Sequence, residues 1–310
     1  MVVRGIDFAS RVHDRAATKM DIQARPRGSK MKLIERFWLS VFFCVVSYTP
    51  SASATLLDGI VAAYSFEGNA SDVSGNGNNG IVAGAIPATD RNGNPNSAFF
   101  FDGSDASIDI GNGVKPPLPL TVNLWFNSSS LGTYPLFRND QVDGGSFRHG
   151  VFLGTSERKL FMQVFSGFAV PATRKGVITV DDVFVADEWN MFTAVYDGLN
   201  DFRIYLDGIE AIVEPTSGTG NAITYSAANG AIGSVNDTLN NSTVFTSNFF
   251  HGFIDDVCVY NRALSDAEIM QLVGGACFAN GGDVPEPTTA ILLIFGLAGT
   301  AWLKKRCENS

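Results

Sequence analysis

Short runs of aromatic and β-branched residues alternate with turns rich in Gly, Asn, Asp and Ser along the middle of the chain. Residues 60–66 form one such apolar run. Residues 192–196 and 202–206 form two more, around a turn that contains Asp197 and Gly198. Strand-length runs of β-forming residues on either side of an Asp-Gly turn are typical of a β-hairpin. The pattern therefore predicts an all-β protein.

A different periodicity follows the last strand-like run. Ser265 and Glu268 have the spacing of a capping box, in which each residue satisfies an amide of the other at the start of a helix. Ile269 and Leu272 then lie three residues apart, on one face of the helix that the box begins. The sequence thus predicts a short helix after the final strand.

Charge is unevenly distributed along the 310 residues. Residues 55–283 carry 10 Lys and Arg against 25 Asp and Glu, a net charge of −15. This acidic body argues against binding of nucleic acid, which requires Lys and Arg opposite the phosphates. It suits a domain that binds cations.

The beginning of the chain has the features of export. After Met31 come basic residues, then an apolar run over 37–46, then an Ala-x-Ala site that ends at Ala54. These are the three parts of a secretory signal, so we predict a signal peptide over 31–54. Residues 1–30 show no apolar periodicity and are interpreted as a leader outside the fold.

The end of the chain carries a motif, an apolar stretch and a basic cluster in that order. The motif consists of Val284, Pro285, Glu286 and Pro287 within a linker over 279–288. The apolar stretch over 289–303 predicts a transmembrane helix, slightly shorter than the ~20 residues that usually span a bilayer. Lys304, Lys305 and Arg306 begin a cytoplasmic tail over 304–310 that would stop transfer.

This arrangement resembles the PEP-CTERM sorting signal of Gram-negative bacteria. The resemblance implies recognition by an exosortase, a membrane protease that cuts near the motif. The protein would then be anchored in the inner membrane only until it is processed, and would afterwards lie at the cell surface or outside the cell. A permanent single-span anchor is the alternative.

The body resembles a family through several runs in order. They read AAYSFEGNASDVSGNGNNGIVAGA from Ala62, LTVNLWFNS from Leu120, WNMFTAVYDGLNDFRIYLDGIEA from Trp189, and HGFIDDVCVYNRALSDAEIMQL from His251. These runs are similar to bacterial laminin-G-like domains of the concanavalin A-like superfamily. The resemblance implies a two-sheet antiparallel jelly-roll β-sandwich over 55–278, with an inward-facing tryptophan at Trp125 and first and last strands that are neighbours.

A loop rich in oxygen-bearing side chains is a candidate calcium site. Asp72, Asn76 and Asn78 lie in this loop, and calcium takes 6–8 oxygen ligands from such turns. Because the family pairs its first and last strands, Asp255 would join them, while Asp256 would face the other way. The alternative is that the loop residues make only Asx turns and Asp255 caps a polar network.

Two cysteines of the body flank the predicted helix. In an oxidising compartment Cys258 and Cys277 could form a disulfide, and two separate thiols are the alternative.

Catalytic patterns are absent from the sequence. Hydrolases of the resembling superfamily carry a strand with closely spaced Glu and Asp residues, and the six Glu residues of the body do not form that run. His149 is interpreted as a residue of an exposed loop rather than as a base. The sequence therefore predicts a protein that is not an enzyme.

Candidates for ligand recognition lie in the segment 134–188, which matches the family least. Tyr134, Phe147, Phe165 and Phe168 could stack on a sugar from its loops, whereas Trp125 and Trp189 are expected in the core. The expected function is a lectin-like module for a glycan or a surface protein. The alternatives are a structural matrix protein without a specific ligand and a divergent glycoside hydrolase or lyase.

Overall fold

A computed structural model of the chain describes residues 55–140, 142–143, 147–169, 174–216, 218–235, 249–275 and 277. The predicted leader, signal peptide, linker with its motif, transmembrane segment and basic tail lie outside these residues. Within the described part of the chain, no helix is long and apolar enough to cross a membrane.

Within the described residues, the fold is a sandwich of two antiparallel sheets followed by one helix. The strands are β1 (Ile60–Tyr64), β2 (Ile81–Ala83), β3 (Ile86–Ala88), β4 (Ala98–Asp102), β5 (Ser107–Asp109), β6 (Leu120–Ser128), β7 (Gly132–Arg138), β8 (Val142–Asp143), β9 (Phe147–Glu157), β10 (Lys159–Ala169), β11 (Arg174–Thr179), β12 (Asn190–Tyr196), β13 (Phe202–Leu206), β14 (Ile209–Glu210), β15 (Val213–Pro215), β16 (Ala231–Ile232) and β17 (His251–Tyr260). The helix α1 spans Asp266–Gly274.

The two sheets have non-sequential strand orders, as in a jelly roll. The eight-stranded sheet runs β14-β13-β12-β6-β17-β4-β3, and β1 also pairs with β17. The nine-stranded sheet runs β15-β11-β10-β9-β7-β16-β5-β2, and β8 also pairs with β9. The predicted jelly-roll sandwich is therefore confirmed, and so is the pairing of the first strand with the last.

The main core lies between the two sheets. It is built from alternate residues of the long strands, such as Phe192, Ala194 and Tyr196 of β12, which are fully buried. The other side chains of β12, Met191 and Val195, enter a second cluster. The strand therefore contributes to both faces of its sheet, which is why all seven of its residues are buried.

Helix α1 packs against the outer face of the eight-stranded sheet. Ile269 and Leu272 are buried in the second cluster, as the helical periodicity predicts. At the start of the helix the amide of Ser265 donates to the carboxylate of Glu268 over 2.9 Å, so the capping box is confirmed. A 2.8 Å ion pair between Arg262 and Glu268 ties this helix start to the end of β17.

The two tryptophans differ from the expectation. Trp125 and Trp189 are half-buried, and Trp125 packs against the second cluster rather than between the sheets. The guanidinium carbon of Arg91 lies 4.4 Å from the centre of the Trp125 ring. Trp125, which the family resemblance placed inside the sandwich, therefore faces outward and stacks on a cation.

Candidate functional site

A cavity lies on the outer face of the nine-stranded sheet. Its volume is about 350 Å³, within the ~300–1,000 Å³ that is usual for small-ligand pockets. Strands β7, β9, β10 and β11 supply most of its lining. Two of the predicted aromatic residues, Tyr134 and Phe165, line it, but from strands rather than from loops.

The central strand β10 supplies the floor of the cavity. Phe161, Gln163 and Phe165 alternate along β10 and all line the cavity, while Leu160, Met162 and Val164 between them are buried in the main core. Since successive side chains of a strand point to opposite faces, one strand builds both the core and the floor. Apolar residues on both faces give no alternating pattern, so the sequence does not reveal this division.

Two glycines on the neighbouring strands flank this floor. Gly154 and Gly176 are the cross-strand partners of Phe161 and Gln163 on β9 and β11. A Cβ atom at Gly176 would collide with the backbone around Gln163, and one at Gly154 would collide with the Phe161 ring. Glycine at both positions therefore allows the neighbouring strands to approach β10 closely.

Aromatic rings line the cavity beside polar groups. Phe152 of β9 packs edge-to-face on Phe161, with ring centres 5.1 Å apart. Gln163 lies between Phe161 and Phe165 and offers both a donor and an acceptor. Aromatic rings beside a few polar groups are an arrangement that sugar rings and other amphipathic ligands fit.

Three arginines line the same cavity. Arg148 lies over the ring of Phe165, with its guanidinium carbon 5.8 Å from the ring centre. Arg174 is the cross-strand neighbour of Phe165 on β11, and Arg138 of β7 donates to the carbonyl of Val235 over 2.9 Å. Burial, together with the positive charge of Arg174, lowers the pKa of Arg148.

The segment before β16 contacts two residues that line the cavity. Asp140 accepts from both the amide and the hydroxyl of Ser226 at 2.6 Å, and Lys115 lies 3.1 Å from its carboxylate. The imidazole Nδ1 of His149 lies 3.1 Å from the hydroxyl of Thr224. His149 is thus half-buried on β9 and lines the cavity, which corrects its interpretation as an exposed loop residue.

The predicted calcium loop is closed by hydrogen bonds of its own. The carboxylate of Asp72 accepts from the amides of Ala63, Ser74 and Asn78 at 2.9–3.0 Å. Partial burial acts to raise its pKa, but hydrogen bonds from the Ser74 side chain and these amides hold the pKa of Asp72 below its usual value. The side-chain nitrogens Nδ2 of Asn76 and Asn78 both donate to the carbonyl of Val61.

The fourth predicted ligand has a different partner. Asp255 lies 2.8 Å from one guanidinium nitrogen of Arg91, and Asp256 lies 2.7 Å from the other. The expectation that Asp256 faces away is therefore wrong, because β17 has a bulge here and Asp256 adopts a left-handed φ of 46°. The bulge lets two adjacent carboxylates reach one cation.

These contacts do not fit a calcium ion held jointly by Asp72, Asn76, Asn78 and Asp255. The carboxylate of Asp72 faces amide donors, and Arg91 supplies the positive charge beside Asp255. Among the described residues, no group of three or more His, Cys, Asp or Glu side chains is placed to hold a metal ion. The contacts favour the alternative of Asx turns and a polar network over the predicted calcium site.

Melting curves with and without a chelator separate the two interpretations. We expect the wild type to melt at the same temperature in both conditions. Asp72→Ala should lower the free energy of unfolding by about 1–2 kcal/mol in both, because partly buried amides lose their acceptor. The exposed Asp105→Ala serves as the control. A chelator effect that the wild type shows and Asp72→Ala lacks would instead establish calcium.

The two cysteines of the predicted disulfide are bonded to each other. Cys258 of β17 and Cys277 beyond α1 have Cα atoms 6.5 Å apart, and both are buried. The bond fixes the chain after the helix to the centre of the eight-stranded sheet.

Comparison with protein families identifies the superfamily to which this fold belongs. Residues 102–270, more than half of the chain, match the family described as the concanavalin A-like lectin/glucanases superfamily. The chain belongs to this superfamily. Among curated proteins, none matches the chain.

Several solved structures are similar to this chain at low sequence identity. Domain 4 of AbnA, a GH43 extracellular arabinanase from Geobacillus stearothermophilus in complex with arabinotriose, has a TM-score of 0.48 at 18% identity and covers 69% of this chain and 98% of its own. The receptor binding domain of a botulinum neurotoxin C/D mosaic serotype has a TM-score of 0.52 at 13% identity. The binding domain of Paraclostridial Mosquitocidal Protein 1 has a TM-score of 0.51 at 16% identity.

The match to the two toxin domains is partial on their side. Each match covers 71% of this chain and 52% of the toxin domain, so the chain spans about half of their length. At these identities the likeness shows the concanavalin A-like fold alone. Function has to be argued from the cavity.

Proposed function

We propose that this chain is an exported cell-surface or extracellular-matrix protein whose sandwich binds carbohydrate in the cavity of the nine-stranded sheet. The observation that carries the proposal is the pair of half-buried rings of Tyr134 and Phe152, which line the cavity beside the buried Phe161 and Phe165. Apolar sugar faces stack on aromatic rings, and sugar hydroxyls require donors and acceptors at the edges of those rings. The cavity offers both within one volume.

The proposed module is not an enzyme. Glycoside hydrolysis generally requires two carboxylates ~5–9.5 Å apart across the scissile bond. Among the described lining residues of the cavity, Asp140 is the one carboxylate, and it is engaged by Lys115 and Ser226. These contacts support a binding role over a divergent hydrolase or lyase.

The proposed location follows from the two ends of the chain. The signal-like segment over 31–54 would direct export, and the motif at 284–287 would direct exosortase processing. We infer a protein that is held in the inner membrane of a Gram-negative bacterium until it is cut. The disulfide between Cys258 and Cys277 suits such an oxidising environment.

Carbohydrate binding is tested with the purified full-length chain on an array of neutral and acidic glycans. We expect binding to a defined sugar, and Phe152→Ala should weaken it about tenfold because the ligand loses a ring. The control is Phe100→Ala. Phe100 is also half-buried, but it lies on the eight-stranded sheet, whereas the cavity lies on the nine-stranded sheet.

The outcomes discriminate between the candidate roles. Equal weakening by Phe152→Ala and Phe100→Ala would place the binding elsewhere. Absence of binding to every glycan would favour the structural matrix protein without a ligand. Release of shorter sugars from a bound glycan would establish an enzyme and overturn the non-catalytic role.

A further inference from the structure

One row of residues crosses the cavity from strand to strand. Phe152 of β9, Gln163 of β10 and Gly176 of β11 are direct cross-strand partners. The backbone amide of Thr216 donates to the carbonyl of Gly176 over 2.9 Å, which continues the register of β11 with β15 by one pair. Opposed residues of an antiparallel sheet point to the same face, and Phe152, Gln163 and Thr216 accordingly all line the cavity.

Gln163 carries an uncharged amide in this row that is almost entirely buried. The residue is 7% exposed, and among the described residues no side chain or backbone group forms a hydrogen bond with its side-chain amide. Its neighbours along β10 on the cavity face are the rings of Phe161 and Phe165, which supply no strong partner. A buried amide without a partner costs free energy, so a ligand that satisfies it recovers this cost on binding.

A second polar atom of the row is in the same state. Within the part of the chain that the structure describes, the buried hydroxyl oxygen of Thr216 has no hydrogen-bond partner. Between Gln163 and Thr216 the row holds only Gly176, where an added Cβ would lie 2.8 Å from the Cγ of Gln163. Neighbouring strands are about 4.8 Å apart, so the backbones of the two polar residues are about 10 Å apart. A single sugar ring with its hydroxyl groups bridges such a distance between two side chains.

The unsatisfied groups of the row are neutral and combine donors with acceptors. A glutamine amide presents a carbonyl acceptor beside an N–H donor. Two hydroxyls on adjacent carbon atoms of a sugar ring offer the complementary donor and acceptor side by side, whereas an isolated hydroxyl engages one half of the amide. The half-buried ring of Phe152 lies directly beside Gln163 and can stack on the apolar face of the same sugar.

We propose that Gln163 determines the specificity of the cavity, for a neutral sugar unit with hydroxyls on two adjacent ring carbons. The amide of Gln163 binds this pair, the hydroxyl of Thr216 bonds to a further oxygen of the ligand, and Phe152 stacks on the ring. The inference rests on the proposed carbohydrate-binding function and specifies the class of its ligand. A neutral ligand also agrees with the net charge of −15 over residues 55–283, which does not attract anions.

Neutral polysaccharides that differ in linkage test the need for adjacent hydroxyls. Internal units of amylose, linear xylan and dextran keep free hydroxyls on adjacent carbons, whereas the internal units of curdlan keep none side by side. Each polymer is immobilised, and depletion of the full-length chain from solution is measured. We expect at least one of the first three, or a neutral glycan of the array with such a pair, to bind about tenfold or more tightly than curdlan.

Gln163→Met assigns this preference to the amide, because it keeps the length of the side chain and removes both hydrogen-bonding groups. It should weaken binding of the preferred glycan about tenfold and reduce the preference over curdlan to within about twofold. It should not lower the melting temperature, because an apolar group replaces a buried amide that has no partner to lose. A purely structural role of Gln163 predicts the opposite, namely a lower melting temperature with an unchanged preference.

Thr216→Val and Gln271→Met complete the set of variants. Thr216→Val keeps the shape of the side chain and should weaken binding of the preferred glycan about fivefold, which tests the row even if Gln163→Met does not fold. Gln271 is exposed on α1, which packs against the other sheet, so Gln271→Met should leave binding within about twofold. Melting curves of all variants verify that the fold is retained.

The outcomes separate this inference from the function on which it rests. Curdlan that binds as tightly as every other polymer and array glycan would overturn the assignment of adjacent hydroxyls and leave carbohydrate binding intact. Tightest binding to an acidic glycan would overturn the neutral class, and unchanged binding by both Gln163→Met and Thr216→Val would overturn the role of the row. Absence of binding to all polymers and to the array would overturn the proposed function together with this inference.

Discussion

At pH 8, replacing Arg91 with alanine is expected to lower the free energy of unfolding by about 3–5 kcal/mol, the usual cost of leaving a buried charge without its partner. The two guanidinium nitrogens of Arg91 lie 2.8 and 2.7 Å from the carboxylates of Asp255 and Asp256. These carboxylates are only 2% and 9% exposed, so water cannot replace the arginine. The melting temperature should fall by about 10 °C for a domain of this size, as followed by circular dichroism.

Arg203→Ala is the control for this prediction. Arg203 forms longer ion pairs, of 3.3 Å, with Asp197 and Asp201, whose side chains are 44% and 55% exposed. Such surface pairs contribute less than about 1 kcal/mol. Equal destabilisation by the two variants would contradict the view that burial sets the strength of the Arg91 contact.

The pH dependence of the Arg91 variant gives an independent check. Burial and the negative charge of Asp256 raise the pKa of Asp255 from 3.8 to about 8, while Arg91 acts in the opposite sense. A raised pKa in the folded state means that protonation favours folding, so stability falls as pH rises from about 4 to about 8. The loss of unfolding free energy caused by Arg91→Ala should therefore be larger at pH 8 than at pH 5. The double variant with Asp255→Asn should recover part of this free energy.

The sequence predicted correctly those elements that are determined by residues close together along the chain. The hairpin of β12 and β13 was predicted from two runs of β-forming residues around Asp197, and the two strands pair over Phe192–Leu206 to Tyr196–Phe202. The capping box at Ser265 likewise predicted the start of α1. In both cases the residues that determine the element are neighbours in the sequence.

The cavity could not be located from the sequence for the converse reason. Its lining comes from residues as far apart as Thr133 and Val235, and strand order rather than sequence order brings them together. Strand β10 carries large apolar residues on both of its faces, so no regular alternation separates the core from the floor. Three arginines of the body line the cavity, and only the fold shows that they lie close together.

The polar cluster around Arg91 was missed for a related reason. Arg91 lies 164 positions before Asp255, and a single arginine in a turn gives no signal of its own. The rule that adjacent strand residues face opposite sides also failed at Asp255 and Asp256, because the bulge in β17 interrupts it. A bulge depends on the partner strand, here β6, and is not encoded in the run of residues itself.

Loss of the disulfide is expected to have the second-largest effect on stability. Cys258 and Cys277 are 19 positions apart, and closing a loop of that length restricts the unfolded chain by about 3 kcal/mol. In the folded state the bond also holds the chain beyond α1 against the sheet, next to Ile269 and Leu272. Cys277→Ser should therefore lower the melting temperature by about 5–10 °C.

Reduction provides the matched control for the disulfide prediction. Dithiothreitol should lower the melting temperature of the wild type to near that of Cys277→Ser, and should leave the variant unchanged. The double variant with Cys258→Ala should unfold close to the single variant, because one bond is lost in both. If reductant leaves the wild type unchanged, α1 is held by the packing of Ile269 and Leu272 alone, and the bond adds no stability to this sandwich.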